Sequence, residues 1–174
     1  MNNQRKRRYW LMKSEPSCFS FEDLKASPGG TAHWDGVRNY QARNMMRDDM
    51  QIGDGVLFYH SSIKIPAIVG LAVVASAAYP DHTAWWDPAS EHYDPKAGPD
   101  NPIWCMVDVR YVADLDLPLT REDLRAHPDL SDMGVLKKGN RLSVMPVTEA
   151  QWRAVVAIGI GEDPLEQQSA GEIS

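Results

Sequence analysis

Trp34 stands between His33 and Asp35-Gly36, just ahead of a segment carrying Arg38, Asn39, Arg43 and Arg47. From residue 37 or 38 to residue 50 there is neither Gly nor Pro, and Ala42, Met45, Met46 and Met50 recur at spacings of three and four. That periodicity predicts a helix with an apolar side, and Asn39, Arg43 and Arg47 form a stripe along another side. A flat indole beside a helix N-terminus and an Arg/Asn stripe suits the stacking of a base and the binding of a phosphate. The same residues also suit a blander arrangement, with Trp34 packed in the core and the arginines on a solvated face. Residue types alone leave both readings open.

Further polar groups fall at the ends of strand-like segments. Lys13-Ser14 closes the segment 9–13, and Tyr59-His60-Ser61 closes 56–60. Strand ends are where side chains converge on a pocket, although they also serve simply as turns. Tyr79-Pro80-Asp81 reads either as a strand terminator with an Asx turn or as a pocket rim. Other chemistry is missing. There is no Walker loop, Rossmann glycine fingerprint, nucleophile elbow or zinc spacing. None of the five histidines lies three to five residues from another. His82 and His92, near Asp81, Asp87 and Asp94, are not at ligand spacing, so no metal or cofactor is expected. A Cys18–His60 nucleophile–base pair is no better supported than two unrelated residues. The expectation is a binding protein, not an enzyme.

The elements that would position these groups are short. Residues 9–13, 33–36, 56–60, 68–74, 103–111 and 142–147 read as strands or extended pieces. Ser20 to Asp23 and Thr120 to Asp123 have the capping-box pattern of short helices, and Thr148-Glu149 opens a helix through residue 158. Residues 80–102 hold five prolines and read as a long surface excursion. The whole predicts one mixed α+β domain over 9–159 around a curved sheet or small barrel. Residues 1–8 are expected to be a frayed basic tail, and 160–174 a disordered acidic one.

Composition narrows the class. The chain has 174 residues, 43 % hydrophobic and 24 % charged, which suits one globular domain. The net charge of -6 hides an asymmetry: residues 1–66 carry ten Lys/Arg against seven Asp/Glu, and the remainder eight against seventeen. A polyanion-facing side on an acidic body fits that split. Six tryptophans are many for this length; Trp10 and Trp152 sit in apolar settings, whereas Trp34, Trp85, Trp86 and Trp104 flank polar or Pro-containing segments. The longest apolar run, residues 67–79, falls short of the roughly 20 needed to span a membrane. No membrane partner is expected, Cys18 and Cys105 are expected as free thiols, and the expected location is cytoplasmic, or nuclear in a eukaryote.

In order along the chain, Trp10-Leu11-Met12-Lys13-Ser14-Glu15-Pro16, Trp34-Asp35-Gly36-Val37-Arg38-Asn39-Tyr40-Gln41-Ala42-Arg43-Asn44, Phe58-Tyr59-His60-Ser61, Ala78-Tyr79-Pro80-Asp81, Asn101-Pro102-Ile103-Trp104 and Arg141-Leu142-Ser143-Val144 resemble the EVE domain family. The resemblance implies a PUA-like fold, a curved mixed β-barrel with short helices packed around it, related to the YTH domain. It also implies a reader that holds an extruded modified base in an aromatic-lined pocket, with 5-methylcytosine or 5-hydroxymethylcytosine in DNA as candidates. On that resemblance Trp34 is the cage wall, Lys13, Ser14, Tyr59, His60 and Ser61 line the pocket, and Tyr79 and Asp81 stand at its rim. Arg38, Asn39 and Arg43 either contact the nucleic-acid backbone or hold the pocket loop. An RNA-binding module for tRNA or rRNA and a small-molecule sensor are the alternatives. Two segments differ from the family pattern: Ser62-Ile63-Lys64-Ile65 is more apolar, and Trp85-Trp86 adds aromatics.

Overall fold

The computed structural model describes residues 5–166. Strands β1 (Tyr9–Ser14), β2 (Thr31–Trp34), β3 (Gly55–His60), β4 (Ala67–Val74), β6 (Cys105–Thr120) and β7 (Val144–Val147) run in the order β2-β6-β4-β3-β1-β7, and the two-residue β5 (Tyr79–Pro80) pairs with β6. The β1–β3 pair is parallel and the other pairs are antiparallel, so the sheet is mixed. The end strands β2 and β7 do not pair with each other, and the sheet is not closed. The architecture is α+β as expected, with α1 (Phe21–Ala26), α2 (Tyr40–Asn44), α3 (Arg121–Ala126) and α4 (Glu149–Gly159) packed around the sheet.

β3 and β4 are nearly continuous apolar runs because both sheet faces are covered. Alternation along the strands sorts their residues into two cores. Leu11, Leu57, Tyr59 and Leu71 pack with Trp152, Val155 and Val156 of α4. Trp10, Met12, Val56 and Phe58 pack on the other face with Phe21 and Leu24 of α1, Trp34, Val37 and Met46. Phe21 lies so close to Gly70 that a Cβ there would meet its ring at 2.1 Å, so no larger residue fits.

Three differences from the sequence reading have plain causes. The helix expected from residue 37 or 38 begins only at Tyr40, because Asn39 is extended (φ -121°) and caps α2 by accepting from the Ala42 N–H; a π-helical turn, Met45–Asp49, then completes it. β6 runs well past residue 111, and Pro118, which looks like a strand breaker, falls where the β4–β6 register shifts and no ladder donor is needed. The described parts of both tails are docked. Arg5 pairs with the buried Asp54 at 2.8 Å, and Arg7 Nε donates to the Gly53 carbonyl at 2.8 Å, so Arg5 to Arg8 do not fray. Leu165 is fully buried, and Asp163 accepts from Trp152 Nε1 at 2.8 Å, so the chain stays ordered beyond residue 160. The rest of both expected tails, 1–4 and 167–174, lies outside the described residues. No helix among the described residues is long and apolar enough to cross a membrane.

Candidate functional site

Because β1 and β3 are parallel, their C-terminal ends meet: Lys13 lies opposite Tyr59 and Ser14 opposite His60. At this end of the sheet opens a cleft of about 930 Å³. Lys13 and Ser14 form one side and Ser61 and Ser62 another; Trp34 to Val37 close it from the end of β2, and His92 and Arg141 reach in from distant loops.

Trp34 resolves the opening ambiguity by meeting both descriptions. It is only 7 % exposed and meets Phe58 edge-on at 5.3 Å, yet it lines the cleft. Its indole N–H makes no hydrogen bond among the described residues, so that donor is unspent. The Lys13 ammonium is half-buried and likewise has no side-chain partner among the described residues. Burial, and secondarily Arg121, lowers its pKa, since a charge leaving water without a counter-ion is disfavoured. Ser14 Oγ donates to the Phe19 carbonyl at 2.5 Å and ties down the turn after β1.

The wall behind Trp34 is braced from a distance. Asp81 is fully buried and accepts from the Gly36 N–H (2.9 Å), Arg38 Nη1 (2.9 Å) and the Thr83 N–H (2.9 Å). Burial opposes its ionisation, but the bonds from Thr83, Gly36 and Arg38 together outweigh it and hold the carboxyl below its ordinary pKa. Arg38 also donates to the His92 carbonyl through Nε (2.9 Å) and Nη2 (2.7 Å). Gly36 has φ +79°, and a Cβ there would lie 2.6 Å from His92 Nε2, so both conformation and space demand glycine. His33 and His92 flank Asp35, at 3.8 Å and 3.6 Å from its carboxylate. With Lys13 and Arg141 set against Glu15, Asp35 and Glu91, the cleft is of mixed charge, unlike a plain phosphate site.

Of the eleven residues singled out from sequence, four line the cleft: Lys13, Ser14, Trp34 and Ser61. Arg38 and Asp81 form the brace behind Trp34 and are not among the residues that line the cleft. Asn39 caps α2, and Arg43 donates to the Ile103 carbonyl (2.8 Å) beneath Tyr40 and Trp104. Tyr79 donates to Asp108 at 2.5 Å, and burial and that carboxylate raise its pKa. Tyr59 and His60 are not among the residues that line the cleft. Tyr59 packs in the core on the opposite face, where its hydroxyl is buried near the Arg121 side chain. His60 faces Phe58, and its Nε2 accepts from the Phe21 N–H at 3.1 Å instead of lining the cleft. Gly36, His92, Arg141 and Ser143 were not anticipated as lining residues. No local signal marks His92, whereas Arg141 and Ser143 belong to a segment that carries the family resemblance. No group of three or more His, Cys, Asp or Glu among the described residues is arranged to hold a metal ion.

The architecture is a mixed, unclosed sheet with short helices around it and a cleft at its strand ends. Residues 8–158 match the EVE domain model, and the chain belongs to the EVE domain family. Thymocyte nuclear protein 1 of Mus musculus is 42 % identical over 167 residues, covering 86 % of this chain and 73 % of the mouse protein. A solved structure of human THYN1 protein in complex with 5-methylcytosine-containing DNA superposes with a TM-score of 0.81 at 40 % identity, covering 90 % of this chain and 99 % of that one. The YTH domain of Zygosaccharomyces rouxii MRB1, solved in complex with N6-methyladenosine RNA, shares the fold at 14 % identity and a TM-score of 0.50, over 87 % and 86 % of the two chains.

Proposed function

We propose that this chain is a non-enzymatic reader of a modified base in DNA, with 5-methylcytosine or 5-hydroxymethylcytosine as ligand. The observation that carries the reading is the cleft at the strand ends, which a pinned indole, Trp34, and a half-buried ammonium without a side-chain partner, Lys13, both line. The likeness to human THYN1, solved with 5-methylcytosine-containing DNA, supports the choice of base. A base extruded from the duplex stacks on Trp34, contributing about 1–3 kcal/mol. Lys13 donates to an acceptor on the base or its phosphate, and a methyl in an apolar niche adds about 1 kcal/mol. Methyl recognition on that scale discriminates by about fivefold. The folded unit 9–159 carries the binding, in the cytoplasm or, in a eukaryote, the nucleus. With a net charge of -6, non-specific affinity should be weak and strongly salt-dependent.

The test is a fluorescence-anisotropy titration of DNA and RNA oligonucleotides carrying cytosine, 5-methylcytosine or 5-hydroxymethylcytosine. Wild type should prefer modified DNA, and Trp34→Phe and Lys13→Met should each weaken that binding without unfolding the chain. Equal affinity of a folded Trp34→Phe or Trp34→Ala variant for every modified probe would remove Trp34 from the role. Preference for RNA at all three bases would favour the RNA-binding alternative.

A further inference from the structure

Three rings follow one another outward from the cleft. His33 lines the cleft itself. Its imidazole meets that of His82 with 6.2 Å between centroids, and His82 meets Trp86 edge-to-face at 4.6 Å. Trp86 ends the row and is 68 % exposed. A ring met edge-to-face by one neighbour keeps at least one face open, and here that face is in water. An indole presents a large flat apolar face, and tryptophan is enriched at interfaces.

The row is held in place relative to Trp34. His82 opens the 3-10 turn His82–Ala84, and the N–H groups of Trp85 (3.1 Å) and Trp86 (3.0 Å) both donate to its carbonyl. The turn is capped by Asp81, the same buried carboxylate that accepts from the Gly36 amide in the cleft wall. One anchor therefore sets both the cleft and the ring row. Nearby charge selects what can lie there. Apart from the buried, ion-paired Asp81, residues 80–102 carry Asp87, Glu91, Asp94 and Asp100 against Lys96 alone, a balance that disfavours phosphates on this side while ring faces remain attractive to bases.

We propose that the open face of Trp86, propped by the His82 ring that stands between it and His33, is a stacking ledge for the nucleotide adjacent to the one held in the cleft. The partner is then a strand with two neighbouring bases free of the duplex stack, and Trp86 supplies affinity without reading sequence. This inference rests on the base-reader function proposed above and extends it to the flanking nucleotide.

The experiment compares wild type, Trp86→Ala and Trp86→Phe, with 5-methyldeoxycytidine ligands of one, two and three nucleotides followed by NMR titration and anisotropy. In wild type, affinity should step up between one and two nucleotides. Trp86→Ala should lose that step, about tenfold, while the single nucleoside, held in the cleft that Trp86 does not line, binds as before. Trp86→Phe should keep most of the step because a flat ring remains. The dependence of log K on log salt should not change, since no phosphate contact is removed. The ledge is overturned if Trp86→Ala retains the step, if it weakens one- and two-nucleotide ligands equally, or if only the salt slope moves. It is also overturned if Trp86→Ala abolishes self-association in sedimentation velocity while oligonucleotide affinity is intact, which would assign the face to a second copy of the chain. If wild type binds none of the ligands, the base-reader reading itself fails. If wild type binds and Trp34→Phe weakens it while Trp86→Ala does not, the ledge alone fails.

Discussion

Arg38 and Lys13 are both cations beside the same cleft, and they are used in opposite ways. Arg38 pairs with Asp81 at 2.9 Å and donates twice to the His92 carbonyl. Lys13 is half-buried with no side-chain partner among the described residues. A fully paired buried charge fixes geometry and has little left to offer a ligand, whereas an unpaired half-buried one costs stability and keeps its donors. The brace gives shape and the cleft keeps unspent chemistry.

The largest expected break in that contrast is Asp81→Ala. It strands the Arg38 charge and the Gly36 and Thr83 amides together, at a cost of about 3–5 kcal/mol read from urea denaturation. The pH dependence follows from the lowered folded pKa of Asp81. Its contribution is complete above the unfolded carboxylate value near 4 and is lost as pH falls through the folded value. Asp81→Asn should therefore flatten the acid limb of the stability curve.

Gly36→Ala comes next. It forces a side chain into a backbone with φ +79° and a Cβ against His92, at about 1–3 kcal/mol, seen as a lower thermal midpoint and weaker oligonucleotide binding. Lys13→Met sharpens the comparison because its sign differs. Removing an unpartnered charge should leave stability unchanged or raise it by up to about 1 kcal/mol, while nucleic-acid affinity falls; a clear loss of stability would mean that Lys13 is structural. The smallest effect belongs to His60, whose pKa is lowered by burial, with Glu22 opposing. Only the neutral ring accepts from the Phe21 amide. Its contribution is present above the unfolded histidine value near 6.5 and is lost as pH falls from there through the folded value. His60→Gln should remove that small slope from the thermal midpoints.

Much of the fold was legible before the structure. Ser20 with Asp23 and Thr120 with Asp123 form the expected capping boxes, and a third, Thr148 with Gln151, opens α4. The buried runs became β3 and β4. The placement of Tyr59 was legible too: consecutive strand residues face opposite sides, so Tyr59 could not share the Phe58 and His60 face. The second half of β6 was hidden because Asp114, Asp116 and Pro118 look like a loop, and only pairing with β4 makes them a strand. Docking of Arg5 on Asp54 was hidden for the same reason, since its partner lies far along the chain.

By itself, the amino-acid sequence determined the starts of α1, α3 and α4, the buried strands, the aromatic and cationic inventory and the family. These rest on periodicities and caps that act within a few residues of one another. Only the tertiary structure decided which of those residues form the cleft, because Lys13, Trp34, Ser61, His92 and Arg141 come from separate elements joined by the sheet. It also decided which cation stays unpaired. Arg38 and Lys13 carry the same charge, but folding brings Asp81 within reach of Arg38 and brings no carboxylate among the described residues within ion-pair distance of Lys13.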